Sequence, residues 1–216
     1  EFISFDNIKK YMDEDDIEYV RHYVSDRTSF KLVTDRLENK KPGEKMFLFN
    51  VTMQNHGGYT YDGGEFPTVT ISNLQGHYKE AEQYLSLIKE SDKAFEELVR
   101  YLKNYDEPTI VVMFGDHQPA VETEFYEELY GQSLSKLSTE ELQQRYKIPF
   151  VIWANYDIES QDDLTTSPNY LSDLLLDTAN VPKNEIETFT SEVRHDVPHI
   201  NAMGHSDSAG NWVSRD

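Results

Sequence analysis

The sequence predicts an α/β protein with a largely parallel central sheet and helices on both faces of that sheet. Three apolar runs of strand length carry this prediction, at residues 46–53, 109–114 and 149–154, because a strand buried on both faces is apolar at nearly every position. Segments with helical spacing separate the runs, which is the order of elements in α/β proteins. We expect residues 1–216 to form a single domain with a small tail, a helix and a hairpin, from about residue 183.

The part of the chain before the first strand predicts helices. Apolar residues from about 16 to 38 follow helical spacing, with an interruption at Ser25 and Asp26. Either of these polar residues is suited to cap a second helix that runs to Leu37, because a side-chain oxygen there accepts a bond from an otherwise unpaired amide of the first turn.

A long loop and a long helix follow the first strand. Residues 54–73 are rich in Gly, Tyr and Asn, and loops of this length inside compact domains are often functional. From residue 76 to 104 the apolar positions repeat with a 3.6-residue period, which predicts one amphipathic helix.

The rest of the chain continues the alternation. A polar residue followed by proline, as at Ser167 and Pro168, is typical of a helix start. We predict further helices near 124–130, 138–145 and 185–195, and a hairpin that turns at 207–210.

Charge excludes one class of function. The chain has 40 acidic and 20 basic residues, a formal net charge of −20, whereas nucleic-acid binding depends on clustered Lys and Arg. Nucleic acid is therefore not expected as a partner, and a bound phosphate or sulfate group would need a metal ion to offset the repulsion. The chain has no cysteine, which excludes disulfide and thiol chemistry.

The most informative motif is the pair Asp116 and His117, which follows the apolar run 109–114 through a glycine. Open α/β sheets bind ligands at the carboxyl ends of their strands. A carboxylate with an imidazole suits zinc, manganese or iron, so we expect this pair to bind a metal ion. The alternative is a capped turn in which Asp116 accepts a bond from its own backbone.

A second polar cluster, Asn55 and His56 followed by Gly57 and Gly58, comes at the end of the first predicted strand. If both strands belong to one parallel sheet, both clusters face the same rim and share one pocket. The flanking glycines leave His56 open to an anionic ligand. The alternative is a histidine in a flexible, glycine-rich turn without a function.

Three histidines of the tail, at 195, 199 and 205, do not have the spacing of ligands on one helix face. We expect His205, and with it Arg194, to contact substrate at the rim of the site instead of a metal ion.

Longer motifs give the chain a resemblance to a known family. The segments Asn-Val-Thr-Met-Gln-Asn-His (50–56) and Met-Phe-Gly-Asp-His-Gln-Pro (113–119) lie about sixty residues apart with a long helix between them. In this they resemble the lipoteichoic acid synthases, which are phosphoglycerol transferases of the sulfatase and alkaline phosphatase superfamily. Segments 146–158, 167–179 and 198–204 extend the resemblance over most of the chain.

The resemblance implies a fold, a site and a reaction. The fold is that of alkaline phosphatase and the sulfatases. Asp116 and His117 correspond to ligands of one catalytic ion, Mn²⁺ or Mg²⁺, while His56, with its neighbour Asn55, corresponds to the group that contacts the substrate phosphate. A threonine attacks the phosphorus of phosphatidylglycerol, diacylglycerol leaves, and the glycerol phosphate passes to a glycerol-phosphate polymer or a glycolipid at the extracellular face of the bacterial cell membrane.

The same resemblance implies that part of the machinery lies upstream. Nothing before residue 46 resembles the family's nucleophile or its metal-binding glutamate. We therefore expect the chain to be the carboxyl-terminal part of the extracellular domain, incomplete at its N-terminal side, with no nucleophile and an incomplete ligand set. The chain alone is then inactive, binds metal weakly, and self-associates through an exposed sheet edge.

Two alternatives to the transferase remain open from the sequence. One is a sulfatase or phosphodiesterase of the same superfamily, with water as the acceptor. The other is a non-catalytic, degenerate homologue that binds a partner or an anionic polymer.

Overall fold

The computed structural model describes residues 1–64 and 66–215 and divides the chain into two compact units. The first unit comprises Glu1–Tyr105 and Pro119–Lys136, and the second comprises Asp106–Gln118 and Leu137–Asp216. The single domain expected from the sequence stays a prediction, and each unit is described by itself. Within the described residues, no helix is both long and apolar enough to cross a bilayer.

The first unit is mainly helical. A short hairpin of strands β1 and β2 precedes helix α1, and the long helix α2 is followed by α3 after the excursion of the chain through the second unit. The elements are β1 (Tyr19–Val20), β2 (Tyr23–Val24), α1 (Asp26–Asn39), α2 (Lys79–Leu102) and α3 (Thr123–Tyr130), with 3₁₀ turns at Ile8–Lys10, Glu14–Asp16 and Leu134–Lys136.

The β1–β2 hairpin replaces the helix predicted before Ser25. Tyr19 pairs with Val24 and Val20 with Tyr23 in antiparallel register, so two residues form the turn. Tyr and Val favour strands, and the two Tyr-Val pairs lie a turn's length apart. The helical spacing of the apolar residues was outweighed here by these strand-forming pairs.

Helices α1 and α2 pack against each other and agree with the prediction. Leu87, Ala94, Leu98 and Leu102 of α2 are buried, and Phe30 of α1 lies edge-on to Phe95 of α2 with 6.5 Å between ring centroids. The amino end of α2 is capped from a distance, because the Glu122 carboxylate accepts bonds from the amides of Glu80 and Ala81 at 2.7 and 3.0 Å.

Ser25 caps α1 as the sequence indicates, since its hydroxyl accepts a bond from the Thr28 amide at 3.0 Å. Replacement of Ser25 by Ala removes this acceptor, and we expect the free energy of unfolding to fall by about 1 kcal/mol. Urea unfolding followed by far-ultraviolet circular dichroism measures the change. Ser72→Ala, at an exposed loop position, is the matched control and should stay within about 0.5 kcal/mol of the wild type.

The prediction of a strand at residues 46–53 was wrong. The segment forms no strand within the described residues, and its apolar side chains lie in solvent, with Phe47 82% and Phe49 71% exposed. An apolar run indicates strand propensity, but a strand also needs a neighbour with which to exchange backbone hydrogen bonds. Self-association through an exposed sheet edge stays a prediction.

The second unit contains the remaining elements. They are β3 (Ile110–Phe114), α4 (Thr139–Gln144), β4 (Phe150–Ala154), α5 (Leu171–Thr178), α6 (Glu185–Asp196), β5 (Ile200–Asn201), β6 (Gly204–Ser206) and β7 (Trp212–Ser214), with a 3₁₀ turn at Pro168–Tyr170. All predicted helices and strands of this unit are present, and the predicted tail consists of α6 and the three-stranded sheet of β5, β6 and β7.

The two apolar strands of this unit pair with each other, and the pairing is antiparallel, with Val112 opposite Ile152. Every strand pair among the described residues is antiparallel, so the parallel order expected from the sequence is not seen in them. The reason is that an apolar run indicates burial on both faces and carries no information about strand direction. The mixture of helices and strands is nevertheless that of an α/β protein.

Glycine is required at position 204 in the small sheet of the tail. A Cβ atom there would lie 2.2 Å from the carbonyl oxygen of Val213, and the backbone has a φ of +154°. The strand β6, which bears His205, therefore lies too close to β7 for a side chain at position 204.

Candidate functional site

Asp116 and His117 follow the carboxyl end of β3, where the sequence places a metal site. The His117 amide donates to Asp116 Oδ1 at 2.9 Å, and His117 Nε2 lies 3.5 Å from Asp116 Oδ2. His117 Nδ1 lies 2.8 Å from the carbonyl oxygen of Gln118. Both side chains are open to solvent, 85% for Asp116 and 71% for His117.

This arrangement fits a cation. A bond from Nδ1–H to the Gln118 carbonyl leaves the lone pair on Nε2, which is the tautomer that metal-binding histidines adopt. That nitrogen lies 3.5 Å from Asp116 Oδ2. Two ligands at about 2.1 Å from one ion are about 3.0 to 3.4 Å apart for angles between 90° and 109°, close to the separation found here.

In the described part of the chain, Asp116 and His117 are the only ligands of this candidate metal site. No group of three or more His, Asp or Glu side chains that could hold a metal ion occurs among the described residues. The ions that suit these donors take four to six ligands. One Asp116 oxygen thus accepts a bond from the His117 amide, as the turn interpretation expects, and the metal interpretation stays a prediction.

His56 lies at an exposed turn in the first unit, and side chains from elsewhere hold the backbone of that turn. We call residues 54–58 the His56 loop. The Arg21 guanidinium donates to the carbonyl oxygens of Gln54, His56 and Gly58 at 2.7, 2.8 and 3.2 Å. The Tyr23 hydroxyl lies 3.3 Å from His56 Nδ1.

Arg21 occupies an unusual backbone conformation. It is the first residue of the β1–β2 turn and has a φ of +57°, a region that costs a residue with a side chain about 1–2 kcal/mol. Burial lowers the pKa of its guanidinium, and its partners are carbonyl oxygens together with the rings of Tyr23 and Tyr59, whose centroids lie 5.3 and 5.8 Å away.

A buried polar network supports the His56 loop from the helix side. The Ser91 hydroxyl of α2 donates to Asp26 Oδ2 at 2.5 Å and accepts a bond from Asn55 Nδ2 at 2.7 Å. The Gln54 side chain accepts from the Asp26 amide at 3.0 Å. Burial raises the pKa of Asp26, and its hydrogen bond with Ser91 opposes that rise. The side-chain amide of Asn55 therefore anchors the His56 loop to Ser91 of helix α2.

Of the two tail residues expected at the rim, Arg194 has a structural position. Its guanidinium lies 2.9 Å from Asp173 Oδ2 and 3.1 Å from Asp177 Oδ2, so α6 is tied to α5. His205 lies half-buried on β6 opposite Ile200 and Val213. Its expected contact with substrate stays a prediction.

The predicted residues fall into separate groups. Asp116 and His117 contact each other in the second unit, which also contains His205, while Asn55 and His56 are adjacent in the first unit. The single pocket expected to unite them stays a prediction.

Sequence reasoning missed Arg21, Tyr23, Tyr59 and Ser91. Arg21, Tyr23 and Ser91 contact the His56 loop from 33 to 37 positions away in the chain, while the Tyr59 hydroxyl adds a bond from within four positions, to the Asn55 carbonyl at 2.9 Å. One local signal existed, because Tyr-Val-Arg-His-Tyr-Val (19–24) has two strand-forming pairs around a two-residue turn.

Comparison with known proteins identifies the family. A profile described as Sulfatase matches residues 1–181, and the chain belongs to the sulfatase family. The structure resembles a phosphoglycerol transferase, GacH of Streptococcus pyogenes, solved in complex with sn-glycerol-1-phosphate, with a TM-score of 0.64 at 21% sequence identity over 84% of this chain and 44% of that chain. This likeness confirms the alkaline phosphatase and sulfatase type of fold, and the family match confirms the sequence resemblance at that level.

Two proteins from Rhizobium meliloti (strain 1021) are also similar to this chain in sequence. One is named as a proposed cyclic beta-1,2-glucan modification protein and is 29% identical over 144 residues, 63% of this chain. The other is the capsular polysaccharide biosynthesis protein RkpI, 31% identical over 101 residues, 47% of this chain. The chain spans only 22% and 17% of the length of these two relatives.

Proposed function

We propose that the chain is part of a metal-dependent phosphoglycerol transferase that moves glycerol phosphate from phosphatidylglycerol to an acceptor. The observation that carries the proposal is the Asp116 and His117 pair, in which His117 Nε2 lies 3.5 Å from Asp116 Oδ2 and Nδ1 lies 2.8 Å from the Gln118 carbonyl oxygen. The sulfatase family match and the fold shared with a phosphoglycerol transferase support it.

Asp116 and His117 would hold one Mn²⁺ or Mg²⁺ ion. When bound, such an ion offsets the charge of a phosphoryl group and promotes ionisation of a hydroxyl. The carboxylate contributes a hard oxygen and a negative charge, while the neutral imidazole adds a donor whose direction the Gln118 carbonyl fixes. In a chain with a net charge of −20, the Asp116 carboxylate would otherwise repel a phosphodiester.

His56 is the proposed phosphate contact. Its side chain is exposed, and the glycines that follow leave room for a bulky headgroup. An open cleft of about 250 Å³ lies beside the loop, lined among others by Arg21, Tyr23 and Gly58. We propose that this cleft admits the glycerol phosphate headgroup, while the side-chain amide of Asn55 fixes the loop by its bond to Ser91.

The names of the relatives favour a saccharide as the acceptor. One relative is named for glucan modification and the other for capsular polysaccharide biosynthesis. The family's other acceptor, a glycerol-phosphate polymer, is less consistent with those names. The reaction would take place at the extracellular face of the bacterial cell membrane, with the anchor and the nucleophile in parts of a longer polypeptide, as the greater length of the relatives suggests.

The test uses the full-length protein with fluorescently labelled phosphatidylglycerol, Mn²⁺ and an oligosaccharide acceptor. We expect labelled diacylglycerol, glycerol phosphate on the saccharide, and loss of both on chelation. Free glycerol phosphate alone would instead support the hydrolase alternative. No lipid cleavage with Mn²⁺, Mg²⁺ or Zn²⁺ would contradict the proposal and favour a non-catalytic homologue.

The 216-residue chain alone should be inactive and should bind Mn²⁺ weakly, since two ligands do not complete the coordination of an ion that takes about six. Calorimetric titration of the chain with Mn²⁺ measures the affinity. A dissociation constant below about 1 μM, equivalent to more than about 8 kcal/mol, would show that this chain holds further ligands.

A further inference from the structure

The turn between β1 and β2 places an arginine where glycine is favoured. Arg21 is the first of two turn residues and has a positive φ, while His22 does not, the pattern of a type II′ turn. Glycine would take this positive φ without strain, so the presence of arginine here indicates a function for its side chain.

The task is visible in the contacts of the guanidinium. Arg21 donates to the carbonyl oxygens of Gln54, His56 and Gly58, and Tyr59 donates to that of Asn55. Four of the five carbonyl groups of the His56 loop are therefore held by side chains. Among the described residues, no carboxylate forms an ion pair with Arg21 that would divert it from these oxygens.

We propose that Arg21 and Tyr23 are positioning residues for His56, which they hold in the orientation that contacts the substrate phosphate. The inference rests on the proposed function of His56 and adds the means by which the loop is ordered before substrate binds. Arg21 lines the proposed headgroup cleft, but its Nη1 and Nη2 nitrogens are bonded to the carbonyl oxygens of the loop, so we expect it to act through the loop backbone.

Each residue has a distinct part in this arrangement. A loop that orders only on binding loses conformational entropy at that moment and binds more weakly, and the three bonds from Arg21 order it beforehand. When the Tyr23 hydroxyl donates to His56 Nδ1, across 3.3 Å, the proton of the neutral imidazole is on Nε2. Nε2–H is then available as a donor to a phosphate oxygen.

The first variant is Arg21→Gly in the full-length protein. Glycine takes the positive φ without strain, which offsets part of the loss of three hydrogen bonds, and we expect the KM for phosphatidylglycerol to rise about tenfold. Arg21→Lys keeps one cation and should recover part of the loss, and Tyr23→Phe should cost less than Arg21→Gly. Asn180→Gly, which relieves a φ of +52° elsewhere, is the matched control and should leave KM unchanged.

The second measurement is a double-mutant cycle with His56→Ala. If Arg21 acts through His56, Arg21→Gly has no further effect on KM once His56 is replaced. An additional tenfold rise of KM in the double variant would show that Arg21 contacts substrate itself. An unchanged KM in Arg21→Gly would show that the His56 loop is ordered without Arg21. Either result overturns this inference and leaves the proposed function intact. A silent His56→Ala would overturn this inference together with the phosphate-binding role proposed for His56.

Discussion

Replacement of Asp116 by Asn is expected to lower the rate of phosphatidylglycerol cleavage by the full-length protein about a thousandfold. Asn keeps the shape of the side chain and an oxygen that can accept the bond from the His117 amide, now 2.9 Å from Asp116 Oδ1. The substitution removes the negative charge that faces His117 Nε2. A bound ion stabilises the transition state of phosphoryl transfer by several kcal/mol, and each 1.36 kcal/mol corresponds to about tenfold in rate.

The measurement is the initial rate of diacylglycerol release at saturating Mn²⁺, together with the Mn²⁺ concentration that gives half the maximal rate. Asp157→Asn, at an exposed position of the same unit, is the matched control and should retain the wild-type rate. If Asp116→Asn retained more than a third of that rate, Asp116 would be a turn-capping residue and the metal site would lie elsewhere.

Local sequence signals predicted the elements that depend on neighbouring residues. Ser25 and Ser138 cap helices α1 and α4 because their hydroxyls meet amides three positions on, and the turn at Asp207 is closed by bonds to Ala209 and Asn211. The long helix α2 follows from its apolar period. In each case the deciding contact lies within one helical turn or one hairpin.

Features that depend on distant partners could not be predicted in this way. Residues 46–53 have strand propensity, yet whether they pair is decided by a neighbour, and none of the described residues supplies one. The direction of β3 relative to β4 is likewise invisible in two apolar runs, since both directions bury the same side chains.

The same distinction between local and distant contacts applies to the candidate site. Asp116 and His117 could be predicted because residue type and strand end are both local properties. Arg21 reaches Gln54, 33 positions on in the chain, and nothing in the residues around it indicates that distant partner. The supports of a site are therefore harder to predict than the residues that carry its chemistry.

Replacement of Asp173 by Ala is expected to destabilise the second unit by about 3 kcal/mol. The carboxylate on α5 is 1% exposed and lies 2.5 Å from Lys183 Nζ and 2.9 Å from Arg194 Nε, and Ser191 of α6 donates to it as well. Without Asp173 the two cations, which are themselves largely buried, lose the partner that offsets their desolvation. Asp177→Ala removes a carboxylate that is 50% exposed and should cost at most about 1 kcal/mol.

The stabilisation by Asp173 should also depend on pH in a defined direction. Burial raises the pKa of this carboxyl, but hydrogen bonds from Lys183 and Ser191 and the charge of Arg194 outweigh burial, so the pKa lies below its ordinary value of 3.8. A carboxyl with a lowered pKa in the folded state stabilises fully above the unfolded value and loses that contribution as pH falls through the folded value. The difference between wild type and Asp173→Ala should therefore be constant from pH 5 to 7 and shrink below pH 3.8.

Tryptophan fluorescence during urea unfolding measures both effects in the correct part of the chain, because Trp153 and Trp212 both belong to the second unit. Equal losses in Asp173→Ala and Asp177→Ala would show that burial of the carboxylate is irrelevant to the cluster. A wild-type advantage that persisted unchanged to pH 2 would show that Asp173 acts through packing alone. The expected result, a large loss confined to the pH range in which Asp173 is ionised, would assign the junction of α5 and α6 to electrostatics. Arg194 would then be a structural residue of that junction and not a substrate contact.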